Sequence, residues 1–151
     1  MSGARDRGQA LLQAGVALFL AGLLVGLAVP AMANPRMGLA SHLEGLMNGL
    51  FLIVLGLLWP RLVLSPLLER VTFWTALYGT IANLAATLLA AIWGAGRMMP
   101  IAAQGHVGTE VQERAIDALL VSLALAMVTV CVLVLAGLRR PRRSRPGIDV
   151  Y

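Results

Sequence analysis

The sequence predicts an all-α integral membrane protein, a bundle of four transmembrane helices with both termini on the cytoplasmic side, and three observations predict it. The 151 residues are 59% hydrophobic and 13% charged, with a mean hydropathy of +0.83. A water-soluble domain of this length carries far more charge on its surface. Four apolar runs are each long enough to cross a hydrocarbon core of about 30 Å, which takes roughly 20 residues at helical rise. The arginines are divided unevenly among the segments between those runs.

The first run, Ala10 to Val29, follows Arg5 and Arg7 and precedes Ala31-Met32-Ala33, a small-residue stretch of the kind a signal peptidase cuts. A secretory apolar core is only about 7 to 15 residues, so a run of this length reads as a spanning helix. The second run covers Leu39 to Trp59, the third Val71 to Trp93 and the fourth Ala115 to Leu138, and a basic tail fills 139–151. All seven prolines (Pro30, Pro35, Pro60, Pro66, Pro100, Pro141, Pro146) fall at or beyond the ends of these runs, where they leave helix interiors intact. Counting arginines places nine (Arg5, Arg7, Arg61, Arg70 and five in the tail) on one side, against Arg36, Arg97 and Arg114 on the other. The positive-inside rule then puts both ends in the cytoplasm. The segment from Gly94 to Arg114 is the longest loop; His106, Glu110 and Glu113 make it polar enough to lie at the interface or fold over the mouth of the bundle. Neither a repeat nor a second domain is visible, so residues 1–151 read as a single membrane domain.

The formal charge of +5 comes from arginine alone, since there is no lysine. Five arginines between Arg139 and Arg145, directly behind an apolar run, are a stop-transfer anchor; nucleic acid is not the expected partner, and the lipid bilayer is. Cys131, the single cysteine, has no partner for a disulfide or a metal cluster and reads as a small lipid-facing or packing residue.

Polar groups inside a bilayer are costly, about 3 kcal/mol for an ionisable group at a helix centre, so those present are the functional candidates. The second helix carries His42, Glu44 and Asn48, and the third Tyr78, Thr80, Asn83 and Thr87. At 100° per residue Thr80, Asn83 and Thr87 fall within about 60°, a narrow stripe that must face protein or a cavity. His42 shares a face with Gly45 and Gly49, which leaves room beside it for something flat, while Glu44 and Asn48 form an i, i+4 pair on another face. Gly22-Leu-Leu-Val-Gly26 and Gly45-Leu-Met-Asn-Gly49 let backbones approach closely, within the bundle or between subunits. Bland readings stand beside these. His42 and Glu44 are shallow enough to snorkel to the outer interface, Asn48 and Asn83 can be interhelical hydrogen-bond glue, and Tyr78, Trp59, Trp74 and Trp93 fit an aromatic belt.

Two strings, Asn34-Pro-Arg-Met-Gly-Leu-Ala-Ser-His-Leu-Glu-Gly-Leu-Met-Asn-Gly49 and Phe73-Trp-Thr-Ala-Leu-Tyr-Gly-Thr-Ile-Ala-Asn83, strongly resemble the hydroxylaminobenzene mutases, with similarity from the first helix to Leu138. Those enzymes are small bacterial membrane proteins that isomerise hydroxylaminobenzene to 2-aminophenol in nitroarene degradation. The resemblance thus implies a multi-pass protein of the bacterial inner membrane. A more distant likeness is to styrene oxide isomerase, whose histidine, asparagine, glycine and Ala-Asn pair are matched in spacing by His42, Asn48, Gly49, Ala82 and Asn83. In that relative the histidine holds the iron of haem b at a subunit interface of a trimer. The resemblance therefore implies His42 as haem-iron ligand with Gly45 and Gly49 beside the cofactor, Asn48 and Asn83 near the substrate, and a homo-oligomer, a trimer by likeness. The relative has a tyrosine four residues after its third-helix asparagine; here that position is Thr87.

Moving a hydroxyl from nitrogen to the ortho carbon needs a weakened N–O bond and no net redox change. The implied haem iron would act as a Lewis acid, Asn48, Asn83 and Thr87 would orient the substrate, and Glu44 is the candidate proton shuttle. Within the enzyme reading, the runner-up is cofactor-free, with Glu44 or His42 protonating the leaving hydroxyl. From other classes the rivals are a small transporter or efflux subunit and a structural membrane subunit. Transport coupling asks for a carboxylate near mid-bilayer, and Glu44 is shallow.

Overall fold

The computed structural model describes residues 2–139, with side chains from Asp6 onward, so the arginines beyond Arg139 lie outside the described residues. The chain runs α1 (Ser2–Ala28), α2 (Pro35–Leu58), α3 (Pro66–Trp93), a short α4 (Pro100–Ala103) and α5 (Glu110–Arg139), with no strand among the described residues. Four of these helices are long and apolar enough to cross a membrane. All four begin earlier than the apolar runs predict, and for α2 and α3 the prolines explain it. Pro35 and Pro66 occupy the first helical turn rather than lying outside it, where a missing N–H costs nothing. The residue before each is a cap: the Asn34 Oδ1 accepts the Met37 N–H (3.0 Å) and the Ser65 Oγ accepts the Leu68 N–H (3.4 Å). Pro30 and Pro60 sit in single 3-10 turns, and Gly94 ends α3 in the left-handed region (φ 66°).

α1 and α2 are antiparallel and meet through glycine. Gly8, Gly15 and Gly22 of α1 face Gly56, Gly49 and Gly45 of α2 so closely that a Cβ at Gly45 would lie 2.5 Å from the Gly22 Cα, and one at Gly49 2.7 Å from the Gly15 carbonyl oxygen. The small-residue motifs thus pack within the chain. α3 lies against both helices, and a core of Leu11, Leu18, Leu52, Leu55, Phe73 and Leu84 joins the three. α5 leans on the far side of α3, with Met127 seated on Gly79, and scarcely approaches α2 or α1. α5 is thus a flank that adds Val130 to the core of the other three helices rather than closing a ring, and a cleft stays open between α2 and α5.

Both ends are tied by polar contacts. Trp59 is 2% exposed, stacks edge-on against Phe73 (6.1 Å) and donates its Nε1–H to Glu69 (3.3 Å), which also pairs with Arg7 (2.9 Å). Of the residues expected in an aromatic belt, Trp59 is thus a core residue, whereas Trp74 is exposed. At the other end, residues 94–109 fold back over α2 and α5. The Asn34 Nδ2 donates to the carbonyls of Ala102 and Ala103 (3.1 and 3.0 Å). The Glu113 carboxylate, 2% exposed, accepts backbone N–H groups of Gly96, Arg97 and Gly108 (3.2, 2.8 and 2.9 Å). This segment is a fixed cap, and Glu113 is an anchor within it rather than a solvated loop residue. The Arg97 guanidinium bonds Asp117 (2.6 Å) and Glu110 (3.2 Å) and is held above its ordinary range, first by the Asp117 hydrogen bond.

Candidate functional site

The intramembrane polar residues fall on two sides of α2, about 160° apart at 100° per residue. On the side facing α3, the Glu44 Oε2 accepts from the Asn83 Nδ2 (2.7 Å) and, one turn along its own helix, from the Asn48 Nδ2 (3.3 Å). Glu44 is half-buried and Asn48 buried, so the carboxylate does not snorkel. Both amide donors converge on the one oxygen, Glu44 Oε2, and tie the carboxyl group to α3 as well as to its own helix. The other Glu44 oxygen and the Oδ1 atoms of both asparagines accept nothing among the described residues, leaving acceptor capacity for a ligand. Ser41, one turn from Glu44, is buried with no partner for its Oγ, a residue the sequence reading did not single out.

The rest of the third-helix stripe behaves differently. The Thr80 hydroxyl donates to Ala76 and Leu77 carbonyls, and the Thr87 hydroxyl to Asn83 (2.9 Å) and Leu84 carbonyls (3.2 Å). Both are buried, their protons already committed to their own helix. Thr87 thus supports the backbone of Asn83 and does not reach Glu44. Tyr78 points away from this centre and bonds the Ser122 Oγ of α5 (2.6 Å).

His42 stands on the α1 side. Its Nδ1 lies 2.8 Å from the Gly22 carbonyl oxygen, and it packs over Gly26, where a Cβ would come within 2.6 Å of that nitrogen. A carbonyl only accepts, so Nδ1 is the donor, and in a neutral imidazole of this tautomer Nε2 is the nitrogen with the lone pair. His42 borders a groove of about 400 Å³ on the outer flank, lined also by Leu23, Gly26, Leu27, Val29, Pro30 and Leu39. An imidazole oriented through Nδ1–H with Nε2 bare is the arrangement a metal-bound histidine takes. Among the described residues no three His, Cys, Asp or Glu side chains converge. The expected room over Gly45 and Gly49 is not there. The backbone of α1 fills it, and any flat group beside His42 meets the aliphatic flank of α1 instead.

Towards the other end of the α2/α5 cleft lies a second groove of about 310 Å³, lined by Phe51, Val54, Leu55 and Leu58 of α2 and Cys131, Val134 and Leu135 of α5. The long Gly94–Arg114 segment does not line the His42 groove; it covers the neighbouring Arg36, Leu39 and Leu43 through Met98 and Ile101.

A family profile described as styrene oxide isomerase matches residues 7–139. Hydroxylaminobenzene mutase HabB of Ectopseudomonas oleovorans is 60% identical over 130 residues, covering 85% of this chain and 79% of the relative. Hydroxylaminobenzene mutase HabA of the same organism is 48% identical over 131 residues, 86% of this chain and 97% of the relative. No solved structure matches. With the match spanning all four membrane helices and both polar centres, the chain belongs to the styrene oxide isomerase family and is an isomerase.

Proposed function

We propose that this enzyme is a membrane-bound hydroxylaminobenzene mutase that converts hydroxylaminobenzene to 2-aminophenol at the Glu44–Asn48–Asn83 centre. The observation that carries the reading is the carboxylate held inside the membrane by two carboxamides, in a chain whose relatives bear that enzyme's name. The reaction breaks one N–O bond, forms one C–O bond at the ortho carbon, removes a proton from that carbon and adds one to nitrogen. Glu44 has the chemistry for both proton movements, taking the ring proton and returning it to nitrogen. The free Oδ1 atoms of Asn48 and Asn83 accept from the N–H and O–H of the substrate and hold the ring in one orientation. Thr87 fixes the Asn83 backbone from below. The apolar walls keep bulk water from capturing the reactive fragment before the ring does.

Haem b, held by the bare Nε2 of His42, would supply a Lewis acid for the departing oxygen. His42 and Glu44 face opposite ways from α2, so one copy does not present both to one substrate. This supports a homo-oligomer, a trimer by family likeness, in which the His42 flank of one copy closes the open α2/α5 cleft of the next. Such closure also covers a carboxylate that lipid alone would leave poorly solvated. The setting is the bacterial inner membrane. A transporter loses its basis with the family assignment.

The test is conversion by the purified protein in detergent. Hydroxylaminobenzene is expected to give 2-aminophenol in equal amount with no oxidant or reductant added, and the protein is expected to show a Soret band that His42→Ala removes. Absence of 2-aminophenol overturns the reading; a colourless but fully active enzyme overturns the haem and leaves the carboxylate chemistry.

A further inference from the structure

We propose that the apolar groove between α2 and α5 receives the substituent para to nitrogen on the aryl substrate, so that the enzyme favours arylhydroxylamines with apolar para groups. This rests on the mutase reading. Glu44, Asn48, Phe51 and Leu55 follow one another at spacings of four, three and four and so form one stripe along α2. The first two belong to the polar centre and the last two line the groove. Phe51 is about 4.5 Å along the helix axis from Asn48 and Leu55 about 10 Å. A ring held by its nitrogen at the two asparagines therefore lies at the level of Phe51, with its para carbon pointed towards Leu55, Cys131 and Val134.

The groove volume of about 310 Å³ exceeds the roughly 150 Å³ that suffices for benzene in an apolar cavity. An unsubstituted ring leaves it largely unfilled. Every lining side chain is apolar apart from the Cys131 thiol, so a charged para group would be buried without a partner. α2 and α5 make few contacts, and the groove begins at Phe51, one turn along the same stripe of α2 from Asn48. Selection among arylhydroxylamines thus falls to a groove that α2 shares with α5, and α5 contributes none of the three polar-centre residues.

The experiment compares wild type, Cys131→Phe and Val134→Phe on hydroxylaminobenzene and its para-methyl, para-ethyl and para-propyl derivatives. Neither residue belongs to the polar centre. In the wild type kcat/KM is expected to rise about fourfold per methylene. In the two filled variants that rise should flatten to within about twofold, while hydroxylaminobenzene itself turns over within about twofold of wild type. Identical slopes in wild type and variants overturn the subsite, as does a para-carboxylate accepted as well as para-ethyl. An enzyme inactive on every member overturns the mutase reading instead, and a second measurement reads the groove alone. Alkylation of Cys131 by an apolar maleimide should be slowed at least threefold by 4-propylaniline and little by aniline or 4-aminobenzoate; equal rates with all three overturn the proposal.

Discussion

The two sides of α2 are built on opposite principles. Towards α1 the surface is dry and closed, with three glycine pairs bringing backbones into contact, and the imidazole of His42 pinned by a carbonyl on its rim. Away from α1 it faces α3 and the cleft to α5: Glu44 and Asn48 share one stripe of α2 with the groove residues Phe51 and Leu55, and Asn83 reaches Glu44 from α3. The closed side tolerates no added atom, because any side chain at the glycines must displace backbone. The open side tolerates changes of size and is sensitive to changes of charge and hydrogen bonding. A single helix thus carries a rigid mount and a reaction chamber back to back.

The sharpest way to break this contrast is to remove the charge on the open side. Glu44→Gln keeps the size of the side chain and is expected to lower kcat by about 10² to 10⁴, the usual weight of a positioned acid–base group, while melting temperature in detergent changes little. The converse change, Gly22→Val or Gly45→Val, inserts methyls where a Cβ already lies within 3.0 Å of the facing backbone. It should cost about 1 to 3 kcal/mol, read as an early thermal transition, with any activity loss following the unfolded fraction. Asn83→Ala sits between the two. It removes the shorter of the two bonds to Glu44, with an expected fall of about tenfold in kcat and a stability cost near 0.6 kcal/mol, the average for an interhelical membrane hydrogen bond. The smallest effect is assigned to Thr87→Val, whose hydroxyl is already spent on its own helix; activity within about threefold of wild type is expected. A hundredfold loss there would place Thr87 at the substrate and blur the contrast.

How much of this was legible depends on what spacing can express. The i, i+4 pairing of Glu44 with Asn48, and the separation of His42 from both, follow from helical periodicity alone. That Asn83 completes the pair does not, because the rotation of α3 about its axis is set by packing. Spacing also put Gly45 and Gly49 on the His42 face without telling whether that face was empty. The answer lay in Gly8, Gly15 and Gly22, whose seven-residue repeat matches glycines on α2 one for one. Trp59 shows a similar limit. Its place at a run end suggested the interface, but the turn at Pro60 folds it under α3, where Glu69 receives its N–H. The openness between α2 and α5 left no mark on hydropathy, since lipid-facing and cleft-facing aliphatic residues look alike.

The most direct test of two separate sides is to record, on the same detergent-purified samples of wild type, His42→Ala and Glu44→Gln, the visible absorption spectrum and the yield of 2-aminophenol from hydroxylaminobenzene. The prediction is a Soret band and full conversion in wild type, loss of both in His42→Ala, and in Glu44→Gln an unchanged Soret band with conversion all but abolished. Glu44→Gln turning over at the wild-type rate, or losing its Soret band together with its activity, would contradict the account.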